Sequence, residues 1–170
     1  MEITKLKAAE NQLNTGIELF FTSPDPVSPY TLIHAAHEIL MNIGRTRGVE
    51  SHIKEKFLRM IVPARRKEFL RKINAAPNFF KHAGRDPSTT LEFKPEQIEF
   101  LAWDACIMFR DLIRRESHQT IIFKSWFYMK NSDLITDSGL AAKYSSAAKN
   151  IRIENKKDFY EDFLRTLMGI

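Results

Sequence analysis

Cysteine is nearly absent from this sequence: Cys106 is the only one among 170 residues. A lone thiol excludes an intrachain disulfide and any cysteine-built zinc cage. Its place in an apolar helical pattern points to a buried, unreactive thiol rather than a nucleophile. Glycine is sparse too, at six residues. None falls into a phosphate-loop, dinucleotide-binding or Gly-x-Ser-x-Gly pattern. ATP-dependent, Rossmann-type and serine-hydrolase chemistry therefore has no support in the sequence. Zinc-finger, RNA-recognition and helix-turn-helix signatures are likewise missing. No apolar run approaches the ~20 residues that span a membrane. The first residues interleave Glu2, Lys5, Lys7 and Glu10 with apolar ones, unlike a signal peptide. A cytoplasmic protein with no membrane partner is expected.

Helical periodicity, by contrast, recurs along the chain. Leu6, Ala9, Leu13, Ile17 and Phe20 keep the three-four spacing of one apolar face. After the breaking run Thr22-Ser23-Pro24-Asp25-Pro26, Ser28 followed by Pro29 predicts a second helix start. That helix carries Leu32, Ala35, Ala36, Ile39, Leu40 and Ile43, with Gly44 or Gly48 to close it. Residues 49–61 predict a basic amphipathic helix through Val49, Ile53, Phe57 and Met60. Another basic helix follows Pro63 and runs to about Ile73, with a kink or a new start at Pro77. Residues 86–93 lack periodicity and predict a loop. Pro95-Glu96 opens the most apolar helix, with Ile98, Leu101, Ala102, Ala105, Phe109 and Leu112 on one face. Ile121–Met129, Asp137–Lys149 and a final helix capped by Asn155 and ended by Gly169 complete the set. Thirteen Phe suit aromatic packing between helices. The expectation is one all-α domain spanning 1–170, a bundle of about six to eight helices.

Charge is unevenly spread. Residues 45–85 hold 12 Lys/Arg against 3 Asp/Glu, whereas the whole chain carries a net +5. The basic run Lys54, Lys56, Arg59, Arg65, Arg66, Lys67, Arg71 and Lys72 suits RNA, another polyanion or an acidic partner. A solvated helix face accounts for it equally well.

Three constellations could carry chemistry. Asn78, His82, Arg85 and Asp86 gather an amide, an imidazole, a guanidinium and a carboxylate at a helix end. His82 could move a proton there while Asn78 and Arg85 hold a phosphate oxyanion. A capped structural corner uses the same residues. The spacing Asn78-x-x-x-His82 resembles the second half of the Arg-Asn-x-x-x-His motif of the HEPN superfamily. That resemblance implies an all-α domain and metal-independent ribonuclease activity, with His82 and Asn78 at the site. Pro77 stands where the motif has its catalytic arginine, and Arg85 lies outside the matched positions. The phrase Asn-Phe-Phe-Lys-His-Ala-x-Arg-Asp-Pro also resembles a signature of small bacterial proteins with no assigned activity.

The second constellation is His34, His37 and Glu38, in a stripe with Tyr30 and Met41 roughly opposite the apolar face. It could hold a metal, but the inward carboxylates of a bundle metal centre are missing. A second packing face, or the seam of a homodimer with Tyr30, His34, His37 and Met41, is the better expectation over two surface histidines, and no cofactor is expected. The third is Asp104, in the most apolar helix. Its expected setting is a partly exposed stripe continued by an Asp111–Arg115 pair. Alternatively it orients the Asn78 corner by pairing with Arg110, His82 or Arg85.

Overall fold

Gly16 of the first helix and Ile33 of the second mark a close helix crossing. A Cβ added at Gly16 would lie 2.7 Å from Ile33 Cγ1 and 3.2 Å from its backbone nitrogen, so only glycine lets the two helices come this near. The computed structural model describes residues 1–81 and 87–170. Helix α1 (Lys5–Thr22) packs most extensively on α2 (Val27–Arg47), and α2 in turn packs on α6 (Gln97–Ile113). Helices α7 (His118–Lys130) and α9 (Lys156–Met168) close the bundle against α1, while α8 (Ser138–Asn150) lies on α7. The chain is an all-α bundle. Among the described residues it has eight helices of at least seven residues and no strand. No described helix is long and apolar enough to cross a membrane.

On α1 and α6 the predicted apolar faces are the ones buried, whereas on α2 only Ala36 and Leu40 of the predicted face are buried and the stripe expected opposite it is buried as well. Ala9, Leu13, Ile17 and Phe20 of α1 are buried, as are Ile98, Leu101, Ala102, Ala105 and Phe109 of α6. Between α1 and α7 sits an aromatic cluster in which Phe20, Phe21, Phe123 and Trp126 meet edge-on or tilted at 5.0–6.2 Å. Trp126 Nε1 donates to the Ile153 carbonyl at 3.0 Å, which satisfies the one polar atom its burial would strand. Cys106 is fully buried, and burial pushes its thiol well above the usual range.

Two element predictions need correction. Helix α2 begins at Val27 rather than at Pro29, because Asp25 accepts the backbone N–H groups of Val27 and Ser28 and caps the start. The segment 49–61 is not one amphipathic helix. It is a π-helical turn, His52–Phe57, followed by the three-residue α3 (Leu58–Met60). The cause lies at the end of α2. Gly48 adopts φ 73°, and the Gly44 carbonyl accepts both the Gly48 and the Val49 N–H. The chain therefore reverses, and Ser51 caps the new turn by accepting the Lys54 N–H at 2.8 Å. Glu55 accepts the Ser51 N–H at 2.8 Å in return, a reciprocal cap in which the acid stands one position late.

Helix α4 (Pro63–Ile73) buries none of its residues, and α5 (Ala75–Lys81) leads back onto α2. Pro77 lies inside α5 and is buried, so the helix restarts ahead of that proline instead of kinking at it. The ends of α2, the π turn and α4–α5 thus converge on one side of the bundle.

Candidate functional site

A cleft of about 460 Å³ opens where these elements meet. Helix α2 gives it His34, Glu38 and Arg45, the π turn gives Lys54, and the α4–α5 segment gives Asn74, Asn78 and Lys81. Three cations against one carboxylate leave the walls at net +2.

Lys54 is the centre of this arrangement and is itself buried. Its ammonium donates to Glu38, to Asn74 Oδ1 at 3.0 Å and to His34 Nε2 at 3.2 Å. An ammonium can only donate, so His34 Nε2 accepts and the ring proton sits on Nδ1. Burial, followed by the adjacent Lys54 charge, pushes the His34 imidazole down to about 3. Glu38 lies 3.7 Å from this neutral ring, too far for a hydrogen bond. Burial raises the Glu38 carboxyl, but the Lys54 hydrogen bond and charge outweigh it and hold the group below the usual range. At neutral pH the cleft therefore presents an ammonium, a carboxylate and a neutral imidazole. His34 Nδ1–H is buried, and among the described residues nothing accepts from it.

Beneath the cleft lies a second polar group. Asp104 and His37 are fully buried and meet at 2.9 Å through Asp104 Oδ2 and His37 Nε2. Asp104 also accepts the Ser51 hydroxyl at 2.5 Å and the backbone N–H groups of His52 at 2.8 Å and Ile53 at 3.3 Å. Burial alone would raise this carboxyl, yet the His37 hydrogen bond and charge, with those from Ser51 and His52, hold it below its ordinary value. Asp104 thus fixes the N-terminal end of the π turn, a position where a carboxylate is favoured, and so orients Lys54 three residues on. Ser51 and His37 both bond to Asp104 and not to each other. A Ser–His nucleophile pair is therefore not formed.

Several sequence expectations change here. The stripe Tyr30, His34, His37 and Met41 is buried within the chain, so it offers no surface for a dimer seam. The two imidazoles turn to different partners, Lys54 and Asp104. Among the described residues no group of three His, Cys, Asp or Glu could hold a metal. The His34/His37/Glu38 ligand set is accordingly not formed. Asp104 is not on a partly exposed stripe, Asp111 pairs with Arg110 at 2.8 Å, and Arg115 pairs with Glu10 at 2.7 Å. Asn78 does line the cleft, whereas His82, Arg85 and Asp86 lie outside the described residues.

The basic run divides. Lys54 belongs to the interior. Arg59 chelates Glu50 at 2.6 and 2.8 Å, and Glu68 pairs with Arg65 at 2.9 Å and Lys72 at 3.1 Å. Arg66 donates to the carbonyls of Ile61 and Arg59, and Lys56 lies 3.2 Å from His52 Nε2. Lys67 and Arg71 are exposed and form no ion pair among the described residues. Ser51, Asn74, Arg45 and Lys81 were not singled out by sequence reasoning. The Gly48 helix stop followed by Ser51-x-x-Lys54-Glu55 is the signal that could have found the turn. No protein-family model matches this chain, and neither a curated protein nor a solved structure matches it.

Proposed function

We propose that this chain binds a phosphate-bearing ligand, RNA foremost, in the Lys54 cleft. The carrying observation is the buried Lys54 ammonium, held by His34, Glu38 and Asn74 in a cleft with Arg45, Lys81 and Asn78 on its walls. Lys54 spends its three N–H groups on those partners and Arg45 pairs with Glu55 at 2.6 Å, so the cleft offers an oxyanion their positive charge together with the exposed side chains of Lys81 and Asn78. A general base poised near neutral pH is not among these groups, since His34 is neutral and weakly basic. Binding is therefore a better fit to the cleft than proton transfer. Exposed Lys67 and Arg71 on α4 can extend contact along a polyanion. A cytoplasmic setting agrees with the single buried thiol.

Fluorescence anisotropy with a short single-stranded RNA tests this reading. Lys81→Ala combined with Asn78→Ala is expected to weaken binding at least tenfold without loss of fold. Equal affinity of the double variant and the wild type would remove the cleft from the reading.

The position of Asn78 on the cleft wall favours a second reading, a HEPN-like ribonuclease acting at Asn78 and His82. Cleavage of an RNA pool in EDTA that is abolished by His82→Ala would support it. No cleavage by either protein would leave the binding reading alone.

A further inference from the structure

Next to the polar cleft lies a smaller slot of about 240 Å³, and Lys54 lines both. The slot differs in character. Ile53, Ile73, Tyr30 and Phe100 make most of its wall, and Gln97 and Lys72 supply its polar groups besides Lys54. The Tyr30 ring is held by edge-on contacts with Phe80 at 5.8 Å and Phe93 at 5.2 Å, and it lies parallel to His34 of the cleft at 6.2 Å. Phe100 leans edge-on against Phe127 at 5.4 Å yet stays 45% exposed. Phe100 is thus a half-open aromatic wall of the slot.

We propose that this slot takes the base of a nucleoside phosphate whose phosphate sits in the Lys54 cleft. The inference rests on the phosphate reading above and adds the ligand class to it. Four observations converge. The volume is small for a drug-sized ligand but adequate for one heterocycle. Aromatic and aliphatic walls accept the flat face of any base, the mode used for single-stranded nucleic acid. The Gln97 amide offers both a donor and an acceptor to a base edge. Lys54 lines both walls, so the slot lies beside the anion-binding groups, the adjacency that the base and phosphate of one nucleotide require. The ligand is either a free nucleotide or one unit of a single strand, and both present the same chemistry.

The test is calorimetric titration of the full chain with inorganic phosphate, uridine and adenosine monophosphates, and a short single-stranded RNA. Nucleotide is expected to bind at least tenfold more tightly than inorganic phosphate. Phe100→Ala should lower nucleotide affinity about tenfold, the scale of one lost stacking contact, while phosphate affinity stays unchanged. Phe100→Trp should restore the nucleotide affinity, which separates stacking from a general loss of fold. RNA much tighter than the mononucleotides identifies a strand as the source, and equal affinities identify the free nucleotide. If phosphate and nucleotide bind alike and Phe100→Ala alters neither, the base slot is overturned and the phosphate cleft survives. If none of the ligands binds, both fall together.

Discussion

Asp104 of α6 and His37 of α2 are joined at 2.9 Å with both side chains fully buried, and the same carboxylate accepts Ser51 and two backbone N–H groups of the π turn. One residue thereby ties three chain segments together beneath the cleft. Removing it leaves a buried imidazole, a hydroxyl and two amides without their acceptor. Asp104→Ala should cost about 3–5 kcal/mol, the scale for breaking a buried charged pair. Urea unfolding measures this directly, and a loss below about 1 kcal/mol would show that the network does not organise the fold.

His34 makes stability depend on pH in a known direction. Its folded pKa is depressed to about 3 by burial first and then by Lys54, against about 6.5 in the unfolded chain. The unfolded state therefore binds the extra proton, and stability rises with pH between these limits. The contribution is complete above about pH 6.5 and is lost as pH falls toward 3. Denaturant midpoints taken from pH 7 down to pH 4 should fall in the wild type and fall less in His34→Gln. Parallel curves for the two proteins would contradict the assigned burial.

Gly44 should tolerate no side chain. A Cβ there would lie 2.3 Å from the Val49 carbonyl oxygen, a backbone atom that cannot swing away. Gly44→Ala should destabilise by about 1–3 kcal/mol, the range of overpacking in a tight site. Gly139→Ala is the control, because the Cβ at that position meets only Asp137 Oδ1 at 3.4 Å. Thermal unfolding of the two variants checks the difference, and equal midpoints would argue against a fixed α2–π-turn junction.

Lys54→Met should separate folding from binding. It removes the ammonium but retains an apolar stem, and the partner Glu38 remains about a third exposed at its side chain, so its charge can be solvated. The variant should stay folded by circular dichroism and lose at least tenfold in affinity for single-stranded RNA, as expected where a cation facing an anion is removed. Wild-type binding should also weaken with added salt. Undiminished binding by the folded variant would exclude Lys54 from the site.

Bundle class was legible in the sequence because the three-four spacing of Ala9, Leu13 and Ile17 and of Ile98, Leu101 and Ala105 is a local property. The π turn was not, because it depends on the left-handed Gly48 and on the Asp104 carboxylate arriving from more than 50 residues away. Lys54 read as one more surface cation for the same reason: its burial comes from Glu38, His34 and Asn74, all 16 to 20 residues distant. The stripe of Tyr30, His34, His37 and Met41 was correctly grouped on one face of α2. Its occupants could not be read, because α5, α6 and the π turn pack there through contacts that no local pattern encodes. Asn78 lies on the wall of the Lys54 cleft, while the other residues of the corner that spacing placed it in, His82, Arg85 and Asp86, lie outside the described residues.

The most direct measurement is an NMR titration of isotopically labelled protein with inorganic phosphate and then with a short single-stranded RNA. The side-chain signals of His34, Lys54, Asn78 and Lys81 are followed, with Lys67 and Arg71 on α4 for comparison. Phosphate binding in the cleft predicts saturable shifts at the first four with phosphate alone. Shifts confined to Lys67 and Arg71, or none at any of the six, would contradict it.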